Sequence, residues 1–237
     1  MKNSTKEIIN EINTYRDESK AAFLPRFFKT GKGEYGEGDQ FIGVVVPNLR
    51  IVAKKHFDAD FDTLRELLAS PYHEYRLTAL LALTYRYAKL KDHTSRETCV
   101  NFYVSQVDAI NNWDLVDLSC YKILGHWLFD KDKQLLYDWA KEDHLWKQRI
   151  AMITCMHFVK QGEFKDALAI ADLLQHHPHD LIHKAVGWIL REIGKENEQL
   201  LVDYLTPRYK EMPRTMLRYA IERFEEGKRK AFLHSKV

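Results

Sequence analysis

Asp117 is the residue whose neighbours best equip it for chemistry. Trp113 lies four residues before it, so on a helix the indole and the carboxylate project from one face. Further along, Trp188 follows Lys184 by four residues and shares a face with it in the same way. A carboxylate among indoles and cationic side chains can stabilise a developing positive charge, through Coulomb attraction and the negative faces of the rings. Cleavage of the N-glycosidic bond to an alkylated purine is a reaction of that kind. The sugar becomes oxocarbenium-like and the already cationic base leaves neutral, so neither a general acid nor a metal is required. The same residues also allow a plainer reading. Tryptophans at helical spacing commonly fill a core, and Asp117 can serve as a helix-end or ion-pair residue.

Helices must carry these residues, and helical periodicity dominates the chain. Ser4-Thr5-Lys6-Glu7 has the form of a capping box ahead of a stripe of Ile8, Ile9, Ile12 and Tyr15. Pro25 is expected to interrupt the next segment or start a new turn, and residues 30–40 to form a loop. Pro47 suits a first helical turn before Leu49, Ile51, Val52 and Ala53. Later turns are expected at Ser70-Pro71, Lys91-Asp92-His93, Asp130-Lys131-Asp132, Gln161-Gly162, His176-His177-Pro178 and Gly194-Lys195. No convincing alternating strand pattern occurs. Five segments resemble one another: YHEYRLTALLAL, NWDLVDLSCYKI, LWKQRIAMITCM, LIHKAVGWILRE and PRTMLRYAIERF. Aligned, they place Arg76, Asp117, Arg149, Lys184 and Arg218 in one column at spacings of 41, 32, 35 and 34 residues. That is the period of two-helix repeats that stack into a continuous core. Equivalent positions fall along one curved face, and a row of cations there suits the phosphates of a duplex. Charges that cap or solvate helices explain the row equally well. The expected fold is an all-α, HEAT-like helical-repeat solenoid, crescent-shaped with a basic concave face. The expected organisation is one domain over 1–237. Residues 1–58 form N-terminal helices and a loop, 59–230 about five helical pairs, and 231–237 a tail.

Composition narrows the classes. The 237 residues are 45% hydrophobic and 30% charged, as in a soluble globular protein. No apolar run approaches the roughly 20 residues of a membrane span, and the first twenty residues lack a signal-peptide core. A cytoplasmic location is expected. Cys99, Cys120 and Cys155 show no C-x-x-C spacing and read as buried small hydrophobes. The net charge of +2 does not announce nucleic acid. Any DNA contact must be local, and the C-terminal third does collect Arg208, Lys210, Arg214, Arg218, Arg223, Lys228, Arg229 and Lys230.

Three blocks sharpen the reading: W-D-x-V-D over 113–117, W-x-Q-R over 146–149 and K-A-x-G-W-x-L-R-E over 184–192. Together with Gly43-Val44-Val45-Val46-Pro47-Asn48-Leu49-Arg50, they resemble the signature blocks of the AlkD family of bacterial DNA alkylation-repair glycosylases. The blocks follow that family's order across nearly the whole chain. The resemblance implies a monofunctional glycosylase, and so a hydrolase, that releases N3- and N7-alkylated purines from double-stranded DNA without a base-flipping pocket. It implies no cofactor and no metal. By the same resemblance Asp117 matches the catalytic aspartate, and Trp113 and Trp188 the lesion-site tryptophans. Arg149 matches the arginine beside the scissile nucleotide, and Arg50, Lys184 and Arg191 look like backbone contacts. Arg218 joins the DNA-binding set from the repeat column. Two positions depart from the family. Phe27 stands where a tyrosine near the lesion is frequent, and Asn112 where another tryptophan is common. The alternatives are a non-catalytic DNA-binding relative and a protein-binding helical scaffold. A monomer with no membrane partner is expected.

Two other patterns carry little. Gly31, Gly33 and Gly36 fit G-x-G-x-x-G, but no strand precedes them and Glu34 and Glu37 would repel a phosphate. His176, His177, His179 and His183 surround Pro178 without a carboxylate or cysteine to complete a metal-ligand spacing.

Overall fold

Ser4 accepts the N–H of Glu7 while the Glu7 carboxylate accepts the N–H of Ser4, so the expected capping box opens α1, Thr5–Asn13. A computed structural model describes the chain over residues 4–234. Two compact units divide it, Met1–Ile123 and Leu124–Val237. Among the described residues there is no strand, only an isolated bridge between Gln40 and Tyr72. The architecture is all-helical and of the repeat type.

In the first unit α1 is followed by α2 (Glu18–Phe27), α3 (Val46–Lys55), α4 (Phe61–Leu68), α5 (His73–Lys89), α6 (His93–Ser105) and the short α7 (Trp113–Asp117). Ile8 and Ile12 of the expected stripe are buried. Pro25 neither breaks α2 nor starts a turn; it lies inside the helix, which ends at Phe27. So close to the C-terminal end, its missing N–H removes a single helical bond. Pro47 stands in the first turn of α3 as expected. The centre of the unit is α5, buried along most of its length and packed against α3, α4, α6 and α7. Tyr103 of α6 is wholly buried, and its hydroxyl lies 3.0 Å from Ser119 Oγ. Cys99, Cys120 and Cys155 are free and buried, as their spacing implied.

The loop between α2 and α3 is held by side chains rather than by a ladder. Glu34 accepts the N–H of Gly31 and Glu37 that of Gly33. The N–H groups of Gly31 and Gly33 are thus taken by glutamates of the same loop and are not offered to a phosphate. Farther on, Glu74 Oε1 accepts three successive N–H groups, from Ile42, Gly43 and Val44, at 3.1, 2.8 and 3.3 Å. Burial pushes the Glu74 carboxyl up against the pull of these bonds. Gly43 adopts φ +84, and a Cβ there would lie 1.9 Å from the Asp17 carbonyl oxygen.

The second unit holds α8 (His126–Leu128), α9 (Gln134–Lys141), α10 (Leu145–Thr154), α11 (Met156–Lys160), α12 (Lys165–Leu174), α13 (Asp180–Glu196), α14 (Glu198–Leu205), α15 (Arg214–Ala220) and α16 (Glu226–Leu233). Its organising helix is α13, which packs against α10, α11, α12, α14 and α15. The turn expected at Gly194-Lys195 lies farther on, because α13 runs to Glu196. Gly194 serves packing instead: a Cβ would meet Leu201 Cδ2 at 2.4 Å. Gly187 likewise lets α15 approach, with the Met216 carbonyl oxygen 2.5 Å from where its Cβ would be. The tail placed at 231–237 starts later than expected. α16 continues to Leu233 because Phe232 is buried against Tyr209 and Phe224; residues 235–237 lie outside the described part.

The aligned column falls on α5, α7, α10, α13 and α15, but it is not a uniform row of available cations. Arg76 is buried, with Nη2 2.6 Å from Asp39 Oδ1. Its charge is used inside the fold, since an arginine in a core must have an anion.

Gly43→Ala is expected to lower the unfolding free energy by about 3 kcal/mol or more. The left-handed conformation accounts for ~1–2 kcal/mol and displacement of the Asp17 backbone for the rest. Urea denaturation of the two proteins measures the difference.

Candidate active site

α7 has five residues, too few to be a stable helix alone, so what it touches sets its position. Asn112 caps it by accepting the Trp113 N–H at 2.8 Å. Leu115 and Val116 are fully buried. Trp113 is half-buried against aromatic rings from the end of α2. Phe28 stacks on it at 5.3 Å and 18°. Phe27 meets it edge-on at 5.8 Å and 72°. Phe27 is 52% exposed, so the cluster opens to solvent at that ring.

A chain of buried charges runs beneath this cluster. Asp114, next to Trp113, lies 2.8 Å from His73 Nε2. The other ring nitrogen of His73 is 3.2 Å from Asp39 Oδ2, and Arg76 holds the second Asp39 oxygen. Asn112 also donates to Asp39, at 3.3 Å. The four charged groups alternate in sign along Arg76, Asp39, His73 and Asp114. Burial alone would pull the His73 pKa down, but the Asp114 and Asp39 carboxylates outweigh it and push it up to about 9. Burial also opposes ionisation of Asp39, yet the bonds from His73 and Arg76 hold its carboxyl below the usual range. With both ring nitrogens facing carboxylates, His73 is an imidazolium at neutral pH.

Asp117 closes α7 and is half-buried. Its charge reaches two phenols. Burial raises the Tyr103 and Tyr121 hydroxyls most, and Cys120 and Asp117 raise them further. Arg50 opposes that effect at Tyr121, so Tyr121 lies in the fields of both the expected catalytic carboxylate and an expected phosphate contact. A π-helical turn, Tyr121–Gly125, begins at this residue. Such turns are common where a helix is adapted to function.

The first unit therefore brings together Phe27, Trp113, Asp117 and Arg50. The second gathers Lys184, Trp188 and Arg191 at i, i+4 and i+7 of α13, one face of that helix. Trp188 Nε1 donates to Glu192 at 3.2 Å. Lys184 pairs with Asp180 at 2.7 Å, and Arg191 Nη1 with Glu222. Arg149 is buried, its Nη1 2.5 Å from the Leu181 carbonyl in the first turn of α13. Arg218 is exposed on α15. The histidine cluster works as a cap: His179 accepts the Leu181 N–H, and His177 accepts that of His179. Burial lowers the pKa of both rings. Among the described residues no group of three or more His, Cys, Asp or Glu side chains is placed to hold a metal. None of their helices is long and apolar enough to cross a membrane.

Sequence reasoning missed Asp39, His73, Asp114, Phe28 and Tyr121. Asp114 and Phe28 each sit beside a residue that was singled out. Asp39 and His73 have no local pattern that marks them.

Stacked helices without a strand among the described residues define a helical-repeat protein. Residues 8–224 match the family described as DNA alkylation repair enzyme, and the chain belongs to that family. The fold agrees. One similar solved structure, described as a predicted DNA alkylation repair enzyme from Enterococcus faecalis, has a TM-score of 0.68 at 14% identity. The match covers 89% of this chain and 97% of that one. AlkD2 from Streptococcus mutans is similar at a TM-score of 0.54 and 16% identity, over 88% and 99% of the two chains. No curated protein matches.

The charge chain makes stability depend on pH in a definite direction. A histidine raised from 6.5 to about 9 stabilises fully below its unfolded value, and the stabilisation is lost as pH rises through the folded one. Unfolding free energy is expected to fall by about 3 kcal/mol between pH 6.5 and 9.5. His73→Gln should be less stable at pH 7 and lose this dependence. Urea titrations across the range provide the check.

Proposed function

We propose that this protein is a monofunctional DNA glycosylase that hydrolyses the N-glycosidic bond of cationic N3- or N7-alkylated purines in duplex DNA. The observation that carries the reading is α7, which presents Trp113 and Asp117 four residues apart, with Phe27 edge-on to the indole. Asp117 is the catalytic carboxylate. It faces the anomeric carbon as the bond breaks, stabilises the oxocarbenium and orients the attacking water. The water loses its proton on addition and the base leaves as a neutral purine. Trp113 and Phe27 contact sugar and lesion, offering negative ring faces to the positive charge. Arg50, Lys184, Arg191 and Arg218 hold phosphates, whereas Arg149, buried and bonded to the Leu181 carbonyl, braces the start of α13. Extrusion of the base, usual for base chemistry, is not required when the attacked atom lies on the sugar at the duplex surface. The reaction needs no cofactor, and the protein acts as a cytoplasmic monomer. A second reading, a DNA-binding protein without catalysis, is favoured by Phe27, whose ring offers stacking but no hydroxyl.

Asp117→Asn keeps size and removes charge. Single-turnover release of 7-methylguanine is expected to drop on the order of 10²–10³-fold, with folding and DNA affinity little changed. A purely structural Asp117 would give the reverse: a lower unfolding temperature and a normal rate per folded molecule.

Phosphate contact is tested separately by salt. Lys184→Ala and Arg191→Ala should each weaken binding to every duplex sequence alike, and make the log–log salt slope shallower by about one ion. Binding measured by fluorescence anisotropy between 50 and 200 mM salt resolves this, and affinity indifferent to salt would argue against these contacts.

A further inference from the structure

The residues that set α7 lie outside the surface assigned to the lesion. Asp114 Oδ2 receives a hydrogen bond from His73, and Asp114 Oδ1 is buried with no hydrogen-bond partner. His73 is 2% exposed and its ring packs against Phe28 at 4.8 Å and Phe41 at 5.0 Å. Phe28 in turn stacks on Trp113. His73 thus reaches α7 by two routes, an ion pair to Asp114 and a ring contact through Phe28 to Trp113. We propose that His73 is a positioning residue, which fixes through Asp114 and Phe28 the short helix presenting Trp113 and Asp117, without itself touching DNA. Its effect on rate rests on the glycosylase reading; its effect on the geometry of α7 does not.

The charged groups facing His73 are few. Asp39 comes from the loop before α3, Asp114 from α7, and Glu74 and Arg76 from α5 itself. The sides formed by Phe28 and Phe41 are aromatic. Loss of the imidazolium proton leaves Asp114 with a weaker partner in a site that water does not reach. A buried carboxylate so placed is unfavourable, and α7 must shift to relieve it. Displacement by a fraction of an ångström suffices to affect catalysis, since a misplacement of about 1 Å can cost about 10²-fold in rate.

Two readouts on the intact protein test the proposal. The first is the indole N–H spectrum of the DNA-free protein between pH 6.5 and 10, with Trp113 assigned by the signal missing from Trp113→Phe. The Trp113 signal is expected to titrate with a midpoint near 9, while those of Trp127 and Trp139 do not follow. Asp114→Asn should shift that midpoint down toward neutrality, and His73→Gln should abolish it. The second is single-turnover release of 7-methylguanine, with release from enzyme-free DNA subtracted. The wild-type rate should fall above pH 9. His73→Gln should start about 10²-fold lower at pH 7 and stay flat. A Trp113 signal that is constant with pH in the wild type, or a folded His73→Gln variant that releases base at the wild-type rate, overturns the proposal. If His73→Gln does not fold, the wild-type and Asp114→Asn titrations decide it. If Trp113 titrates but the wild type releases no base, the positioning role stands and the glycosylase reading falls.

Discussion

The first unit depends on one interaction, the His73 imidazolium held between the carboxylates of Asp39 and Asp114. It is buried, so its partners cannot be replaced by water, and each charge is tolerable only while the others are present. It joins three segments distant in sequence: the loop before α3, the N-terminus of α5 and the short helix α7. The adjacent Glu74 fixes the same loop by its three backbone bonds. Two successive residues of α5 therefore lock a glycine-containing loop on one side and the candidate catalytic helix on the other. The aromatic cluster of Phe27, Phe28 and Trp113 rests on that base.

Much of this was legible in the sequence, and what was not has a physical reason. Capping boxes, helical stripes and a proline in the first helical turn are local, and α1 and α3 follow from them. The repeat column located the helices correctly because each buries a similar apolar face. It misjudged Arg76, because periodicity reports where a residue lies on a helix and not whether an anion waits there. Asp39 was that anion, in a loop 37 residues upstream. Gly194 misled for a related reason. A glycine near a helix end suggests a turn, whereas here it makes room for Leu201. At the candidate site, the motif over 113–117 pointed to Trp113 and Asp117, but Asp114 between them was passed over. Its importance lies in a partner 41 residues away.

The cations on α13 and α15 raise a different point. Lys184 and Arg191 are paired with carboxylates of the same unit, and exposed pairs of this kind are worth little. In the proposed function a phosphate replaces Asp180 or Glu222 as partner at small cost. Local acids keep the net charge near zero and hold the side chains in place. This reconciles a chain of net charge +2 with membership of a DNA repair family. In the proposed function a few ordered cations make the contact, and a strongly basic surface is not needed.

In the proposed mechanism α7 presents a carboxylate able to release a cationic base. The most direct test is incubation of the wild-type protein in excess with duplex DNA containing 7-methylguanine, followed by chromatography of the free base. Intact 7-methylguanine is expected to be released well above the spontaneous rate, leaving an abasic site and an unbroken strand. A folded protein that binds the duplex and releases no base above the spontaneous rate would contradict it.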